Sequence, residues 1–536
     1  MGTVAFIEYI LVLYSRDYGA IRSIFAKGVA RSRVDCRYIT RREEIMKKVV
    51  IIGAGVSGLT AGIYLQKAGF ETEIYEKNAI SGGQCTGWNR EGYHIDNCIH
   101  WLTGTKKETE LYTLWETVGV LGETIELVQM DKFYSIRLQE GKITLWRDLE
   151  KTRQEMIQLS PEDQVEIDKF IEFTKLSETI SVPVEKPFDK MNLFDYMKLS
   201  KSMSGILKVF KEYRGMNIED LANRFHHPLL QKAIKEYMPS EYQAYALLVS
   251  YASVTSGNGD IPRGGSLAMA NRMVKKYIEY GGKIYNNNPV DKVIIDGKKA
   301  VGIQLLNQTK ILSDYVICAC DINHTFEQLL DKKYMPRDMQ KIYKDRQKYP
   351  LISGFQIAFA LDGEYELLSG TNFFECLPFR IAEETVEYMN TRSYEYEPSF
   401  APVGKSILQC NFMQSEKSYE YWDYLYKNES NKYKKEKINK AEQVLDRIIQ
   451  EYPFLEGKIK ILDIWTPVTY HRYCNSFYGS YMGFIISKHA KDQRTKGRVK
   501  GLSNVMLASQ WLMGPGGLPV AAAMGKFSAQ RIIRFE

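Results

Sequence analysis

Hydrophobic and polar positions change their period several times along this chain, and each change predicts an element. Val49-Val50-Ile51-Ile52 is a continuous apolar run closed by glycines, the pattern of a strand buried on both faces. Small and apolar residues then recur at helical spacing from Val56 through Gly62 to an exit turn at Gly69, and Glu71 to Tyr75 alternates as a second strand. From Leu149 to about Ser250 the signal is helical, and Ser160-Pro161 marks one start with a capping residue and a proline at the first helical position. Inside that region Met191 to Tyr213 carries Leu, Phe and Met at helical spacing among many lysines. Such a face fits either a core or a helix lying on a bilayer surface. His226-His227 before Pro228 predicts a helix boundary.

The strand pattern returns later in the chain. A helix over Leu267 to Tyr280 precedes strand-like runs at Pro289 to Ile295, Ala300 to Leu306 and Ile311 to Ala319. Gly354 to Leu361 and Ser406 to Phe412 read as further strands, the tyrosine-dense Tyr419 to Tyr426 as half-buried surface, and Asn428 to Lys440 as a solvated helix face. The end of the chain repeats the opening motif in outline. A buried strand near Asn504 leads to a glycine turn at Gly514 to Gly517 and then to a small-residue helix running through Gly525.

Candidate chemistry sits at the turns. Gly53, Gly55 and Gly58 form G-x-G-x-x-G where the first strand gives way to the helix holding Val56 and Ser57. Gly53 suits a tight turn, Gly55 has no Cβ to block a pyrophosphate, and Gly58 lets the helix lie close to the sheet. Free N–H groups and the positive end of the helix dipole favour a diphosphate at that point. Glu76, 23 residues after Gly53, ends the second strand where a carboxylate meets a ribose hydroxyl, and its charge disfavours a 2′-phosphate. Lys77 follows it. A second pair, Gly82-Gly83, comes soon after and is followed by Gln84.

The Glu76-x5-Gly82-Gly83-Gln84 succession resembles flavoenzymes related to amine oxidases and phytoene desaturases, although Gln84 stands where many members carry Arg. The G-x-x-x-D-x-x-x-H run of Gly92, Asp96 and His100 and the Ile261-to-Asp321 segment are similar to the phytoene desaturase, carotenoid isomerase and retinol saturase group. That resemblance implies FAD as cofactor, with Val290 against the adenine and Gly516, Gly517, Leu518, Pro519 and Val520 along the isoalloxazine edge. The implied fold is α/β. A doubly wound, Rossmann-like FAD-binding domain is assembled from residues 46–147, 255–325 and 456–536, with an α+β substrate domain from 148–254 and 326–455. The implied reaction is hydride transfer between a C–C unit of a lipophilic, polyene-type substrate and flavin N5. Flavin-dependent amine oxidation, redox-neutral isomerisation and a non-catalytic flavoprotein are the competing expectations. Asp96, His100 and Arg263 are the candidate catalytic residues, each with a packing or ion-pair role as its alternative.

Composition narrows the partners. With 72 basic and 65 acidic residues the net charge is only +7, and no basic stripe accompanies a recognition motif, so nucleic acid is not an expected partner. Eight scattered cysteines without a C-x-x-C pair point to reduced thiols and a cytoplasmic protein, with membrane association left open. Seven histidines without a ligand-spaced motif give no expectation of a metal. Residues 1–45 do not fit the rest, since the apolar run Val4 to Tyr14 falls short of the ~20 residues a spanning helix needs. We read them as an extension that is non-native or disordered, with Met46 as the natural initiator and Arg41-Arg42-Glu43-Glu44 as a translated purine-rich tract.

Overall fold

The computed structural model describes residues 46–180, 182–202, 204–490 and 495–534. The expectation about residues 1–45 lies outside them. A five-stranded, wholly parallel sheet runs in the order Val505–Leu507, Tyr315–Cys318, Lys48–Ile52, Glu71–Tyr75, Lys283–Tyr285. Its central strand is the apolar run read first: Val50 pairs with Glu73 on one side and Val316 on the other. Val49, Val50 and Ile51 have no exposed surface, as a central parallel strand covered by helices requires. The strand order reverses beside this strand, so the two halves diverge just beyond its carboxyl end, where such sheets bind ligands.

Three helices pack on one another around this sheet. Val56–Lys67 lies against Gly265–Glu279 and against Leu518–Ile533. The approach is close because glycine stands at each crossing. A Cβ on Gly525 would run into the Ser57 carbonyl oxygen and come within 2.9 Å of the Thr60 Cβ. One on Gly62 would run into the Tyr277 ring of the Gly265–Glu279 helix.

A seven-stranded mixed sheet forms the second layer, ordered Ile459–Trp465, Ser353–Leu361, Ser406–Gln414, Glu384–Ser393, Thr371–Ile381, Lys132–Leu138, Gly141–Trp146. Helices Glu416–Asn428 and Ser430–Glu451 cover it, burying Trp422 against Phe355. The helical region expected from Leu149 onward is present as a succession from Leu149–Leu159 to Tyr245–Thr255. His227 caps its Pro228–Lys235 helix by accepting from the Leu229 N–H.

Three expectations change. The Lys132–Trp146 hairpin, expected in the cofactor-binding part, joins the second sheet, with Asn372 opposite Ser135 in a parallel pairing. Ile459–Trp465 does the same, pairing with Ser353–Leu361. Alternation predicts a strand but not its partner, which lies about a hundred residues away in one case and more than two hundred in the other. The single strand expected over Ile311 to Ala319 is two, Lys310–Leu312 and Tyr315–Cys318, which belong to different sheets.

Candidate active site

A cavity of about 650 Å³ is lined by residues of both sheets. One half is built from the glycine turns. The Gly53 N–H donates to the Tyr75 carbonyl (2.8 Å), the Ala54 N–H to Glu76 Oε2 (2.9 Å), and the Gly82 N–H to the Ala54 carbonyl (2.8 Å). These bonds clamp the first turn to the end of the second strand. Gly55 starts the Val56–Lys67 helix with no side-chain cap, so no side chain of the protein closes off the helix start. A Cβ on Gly55 would meet only Gly83 Cα at 3.9 Å and the Gly82 carbonyl at 4.0 Å. The glycine turns thus face each other across a cradle that a side chain would fill.

The ends of the chain meet at the same cavity. Gln84 donates to the Ser480 carbonyl (3.0 Å), and Gln510 reaches Gln84 Oε1 (3.5 Å). Gln510 Oε1 in turn accepts from the Gly517 N–H (2.8 Å). Gly53, Gly55, Val56, Ser57, Glu76, Lys77, Gly82, Gly83, Gln84 and Val290 line the cavity together with Gly517, Leu518 and Pro519. Three residues assigned to the cofactor by sequence do not line it. Gly58 is consumed by packing against Gly53 and Ala319, Val520 is sealed in the core, and Gly516 is pressed against the Gly483 N–H. Lys77 spends its ammonium on the Arg472 carbonyl (2.9 Å) and Asn475 Oδ1 (2.7 Å), and burial lowers its pKa.

The other half of the cavity is walled by Trp101, Tyr237, Tyr242, Phe373, Tyr470 and Tyr481, with Asn390, Arg392, Gln409 and Asn411 among them. Trp101 comes from the segment of Asp96 and His100, and Gln409 and Asn411 from the strand expected over Ser406 to Phe412, but none of these wall residues was read as one. The strands carrying Phe373, Asn390 and Arg392 have no motif, and pairing alone turns these side chains into the cavity.

The candidate catalytic residues separate. His100 lines the cavity, and burial, with the Arg392 charge beside it, pushes its pKa down to about 3, so it is neutral near pH 7. Asp96 also lines the cavity, but its oxygens are occupied by the Ser266 N–H (2.5 Å), the Ser266 hydroxyl (2.6 Å) and the Cys98 N–H (3.1 Å). It is a strut that ties the loop to the start of the Gly265–Glu279 helix. Arg263 is not in the cavity. It pairs with Glu126 and donates to the Tyr396 carbonyl, a surface ion pair rather than a substrate contact. Next to the cofactor half, burial raises Asp321 to about 6, while burial and the Lys77 charge lower His324 to about 4. Among the described residues no cluster of side chains is able to hold a metal.

The family model for flavin containing amine oxidoreductases matches residues 56–533. The chain belongs to that family. It is 22% identical over 484 residues to an all-trans-retinol 13,14-reductase from Danio rerio, covering 81% of this chain and 77% of that one. It is 23% identical over 514 residues to a 4,4'-diapolycopene oxygenase from Methylomonas sp, covering 91% and 98%. A solved oxidoreductase from Methanosarcina mazei has the same fold at a TM-score of 0.56 and 17% identity, covering 91% of this chain and 100% of that one. The family member described here is an FAD-dependent oxidoreductase with a mixed α/β fold, and its uncapped helix start, open glycine cradle and cavity-lining Glu76 fit a flavin dinucleotide.

Proposed function

We propose that this flavoprotein transfers a hydride between a C–C unit of a conjugated, lipophilic substrate and flavin N5. The observation that carries the proposal is a single cavity joining the glycine cradle to an aromatic-walled chamber. Bound there, the flavin supplies the two-electron donor or acceptor. Gly53, Gly55, Gly82, Gly83 and the first N–H groups of the Val56–Lys67 helix hold the diphosphate, and Glu76 takes the ribose hydroxyls. Gly517, Leu518 and Pro519 lie along the ring system. Trp101, Tyr237 and Phe373 orient the apolar substrate and exclude water. The hydride at one carbon is matched by a proton leaving or reaching its neighbour, and with His100 held neutral and the Asp96 oxygens engaged we assign that proton to solvent. Relatives named for retinol and for diapolycopene support a polyene-type substrate.

Amine oxidation, the chemistry in the family's description, is disfavoured by charge. The buried guanidinium of Arg392 lines the chamber and repels an ammonium group. Contact with a lipid surface belongs to the same proposal. Leu193, Phe194 and Met197 are 54%, 75% and 62% exposed on one helix, with exposed Lys190 and Lys198 beside them. Among the described residues no helix is long and apolar enough to cross a membrane. The deciding experiment is anaerobic: photoreduced and oxidised holoprotein are each mixed with conjugated lipids and with amines while the flavin spectrum is followed. Redox change with a conjugated lipid alone is expected. Bleaching by an amine, with every polyene inert, sinks the proposal.

A further inference from the structure

Arg392 presents a buried charge to the cavity with no carboxylate in contact, only the Tyr394 ring 5.1 Å away and the Asp96 charge at a distance. It lies near the end of the Glu384–Ser393 strand, is 8% exposed and lines the substrate half of the cavity. One terminal nitrogen, Nη2, donates to the Ile99 carbonyl (3.0 Å), the His100 carbonyl (3.1 Å) and the Tyr396 hydroxyl (3.1 Å). All three acceptors are neutral. Among the described residues no carboxylate stands within ion-pair distance of the guanidinium, and its Nε and Nη1 have no acceptor from the chain. The nearby acids keep their charge but are turned to other donors, so none contacts the guanidinium. Asp96 is held by Ser266 and Cys98, Glu395 by Ser369 and the Gly370 N–H, and Glu397 by the Gly264 N–H and Ser399.

A buried guanidinium without a counter-charge in contact is expensive, and arginine remains protonated throughout the physiological range. Its planar fork matches the two oxygens of a carboxylate. A second cation stands beyond it. Lys132 Nζ donates only to the neutral Asn372 Oδ1 (3.0 Å), and Lys132 lines a small side cavity that shares Arg392, His100 and Trp101 with the main one. Neutral His100 supplies no balancing charge.

We propose that Arg392, backed by Lys132, receives the carboxylate of the substrate, so that the enzyme acts on unsaturated lipophilic acids rather than on hydrocarbons, esters or amines. The assignment rests on the carbon-oxidoreductase reading given above and names the end group that fixes which double bond meets the cofactor. An ester keeps the chain length and loses the charge, and so isolates the contact.

The test uses the holoprotein and reads binding from the change in flavin absorbance on titration, independent of turnover. The probes are three acid and methyl-ester pairs: retinoic, sorbic and linoleic. At least one acid is expected to bind roughly tenfold or more tighter than its ester. Arg392→Gln, which can still donate to the Ile99 and His100 carbonyls, should bring that acid down to the level of its ester and leave the ester unchanged. Arg392→Lys should restore part of the preference, and it serves as the test if the Gln variant loses flavin. Esters binding as tightly as acids throughout, or a preference that survives in both variants, overturns the carboxylate assignment alone. A protein that holds no flavin, or whose flavin reacts with no alkene, defeats the broader proposal instead.

Discussion

Replacing Gly55 by valine should remove the cofactor and spare the fold. Gly55 has φ −74° and ψ 178°, an extended conformation open to any residue. Its new Cβ would find ordinary van der Waals distances, 3.9 Å to Gly83 Cα and 4.0 Å to the Gly82 carbonyl. Losing glycine at a helix start costs a few tenths to about 1 kcal/mol, while stiffening the unfolded chain returns ~0.4–1 kcal/mol. The two nearly cancel in the apoprotein. The methyl groups, however, fill the cradle meant for the diphosphate, and overpacking of that kind costs ~1–3 kcal/mol. FAD affinity should therefore fall roughly 5- to 150-fold. At saturating FAD a 100-fold loss removes about 2.7 kcal/mol of ligand-conferred stability. Fluorescence titration with FAD and thermal melts of apo and holo forms give both numbers. Gly58→Ala is the contrast, because its methyl strikes the Gly53 carbonyl inside the protein and should lower the apo melt as well. A Gly55→Val protein that binds FAD with wild-type affinity, or whose apo form melts as low as the Gly58 variant, refutes the cradle.

Acid stability should bear the mark of two cavity-lining histidines held neutral by desolvation. His100 at about 3 and His324 at about 4 both lie below the ordinary 6.5, so the unfolded chain takes up protons first as pH falls from 6.5 toward 4. Each costs about 1.4 kcal/mol per pH unit over that window. Asp321, raised from 3.8 to about 6, opposes them, since between these values the native form takes its proton first and acidification relieves a buried charge. His324→Asn should flatten the fall in urea-unfolding stability between pH 6.5 and 4, and an unchanged acid limb counts against the burial argument. Phe194→Asp should weaken co-sedimentation with anionic vesicles without moving the melt; equal binding would dismiss the lipid-facing patch. Arg263→Ala should keep flavin content and kcat, and a drop in kcat at full flavin occupancy would return Arg263 to the chemistry.

The cofactor half was legible because its signals are local. Turn glycines, a strand-ending acid and a helix start fall within one stretch from Val49 to Gln84, and each has a backbone reason to be there. Gly58 serves the close helix-to-sheet packing read for it, whereas Val520, expected at the cofactor, is sealed in the core. The substrate half was not legible. Arg392 sits in an unremarkable Thr-Arg-Ser-Tyr run, and nothing in it tells that Thr371–Ile381 will lie between its strand and Lys132–Leu138. Arg263 misled for the converse reason: a glycine-flanked arginine looks like a ligand residue until the distant Glu126 is found beside it.

The parallel sheet has a consequence for biosynthesis. Lys48–Ile52 and Glu71–Tyr75 leave the ribosome early, yet Val505–Leu507 and the helix that packs on Val56–Lys67 come hundreds of residues later. Until then the nascent chain carries half a binding groove with an uncovered hydrophobic flank, a state prone to association. The groove is therefore complete only when two parts of the chain more than four hundred residues apart have both been made.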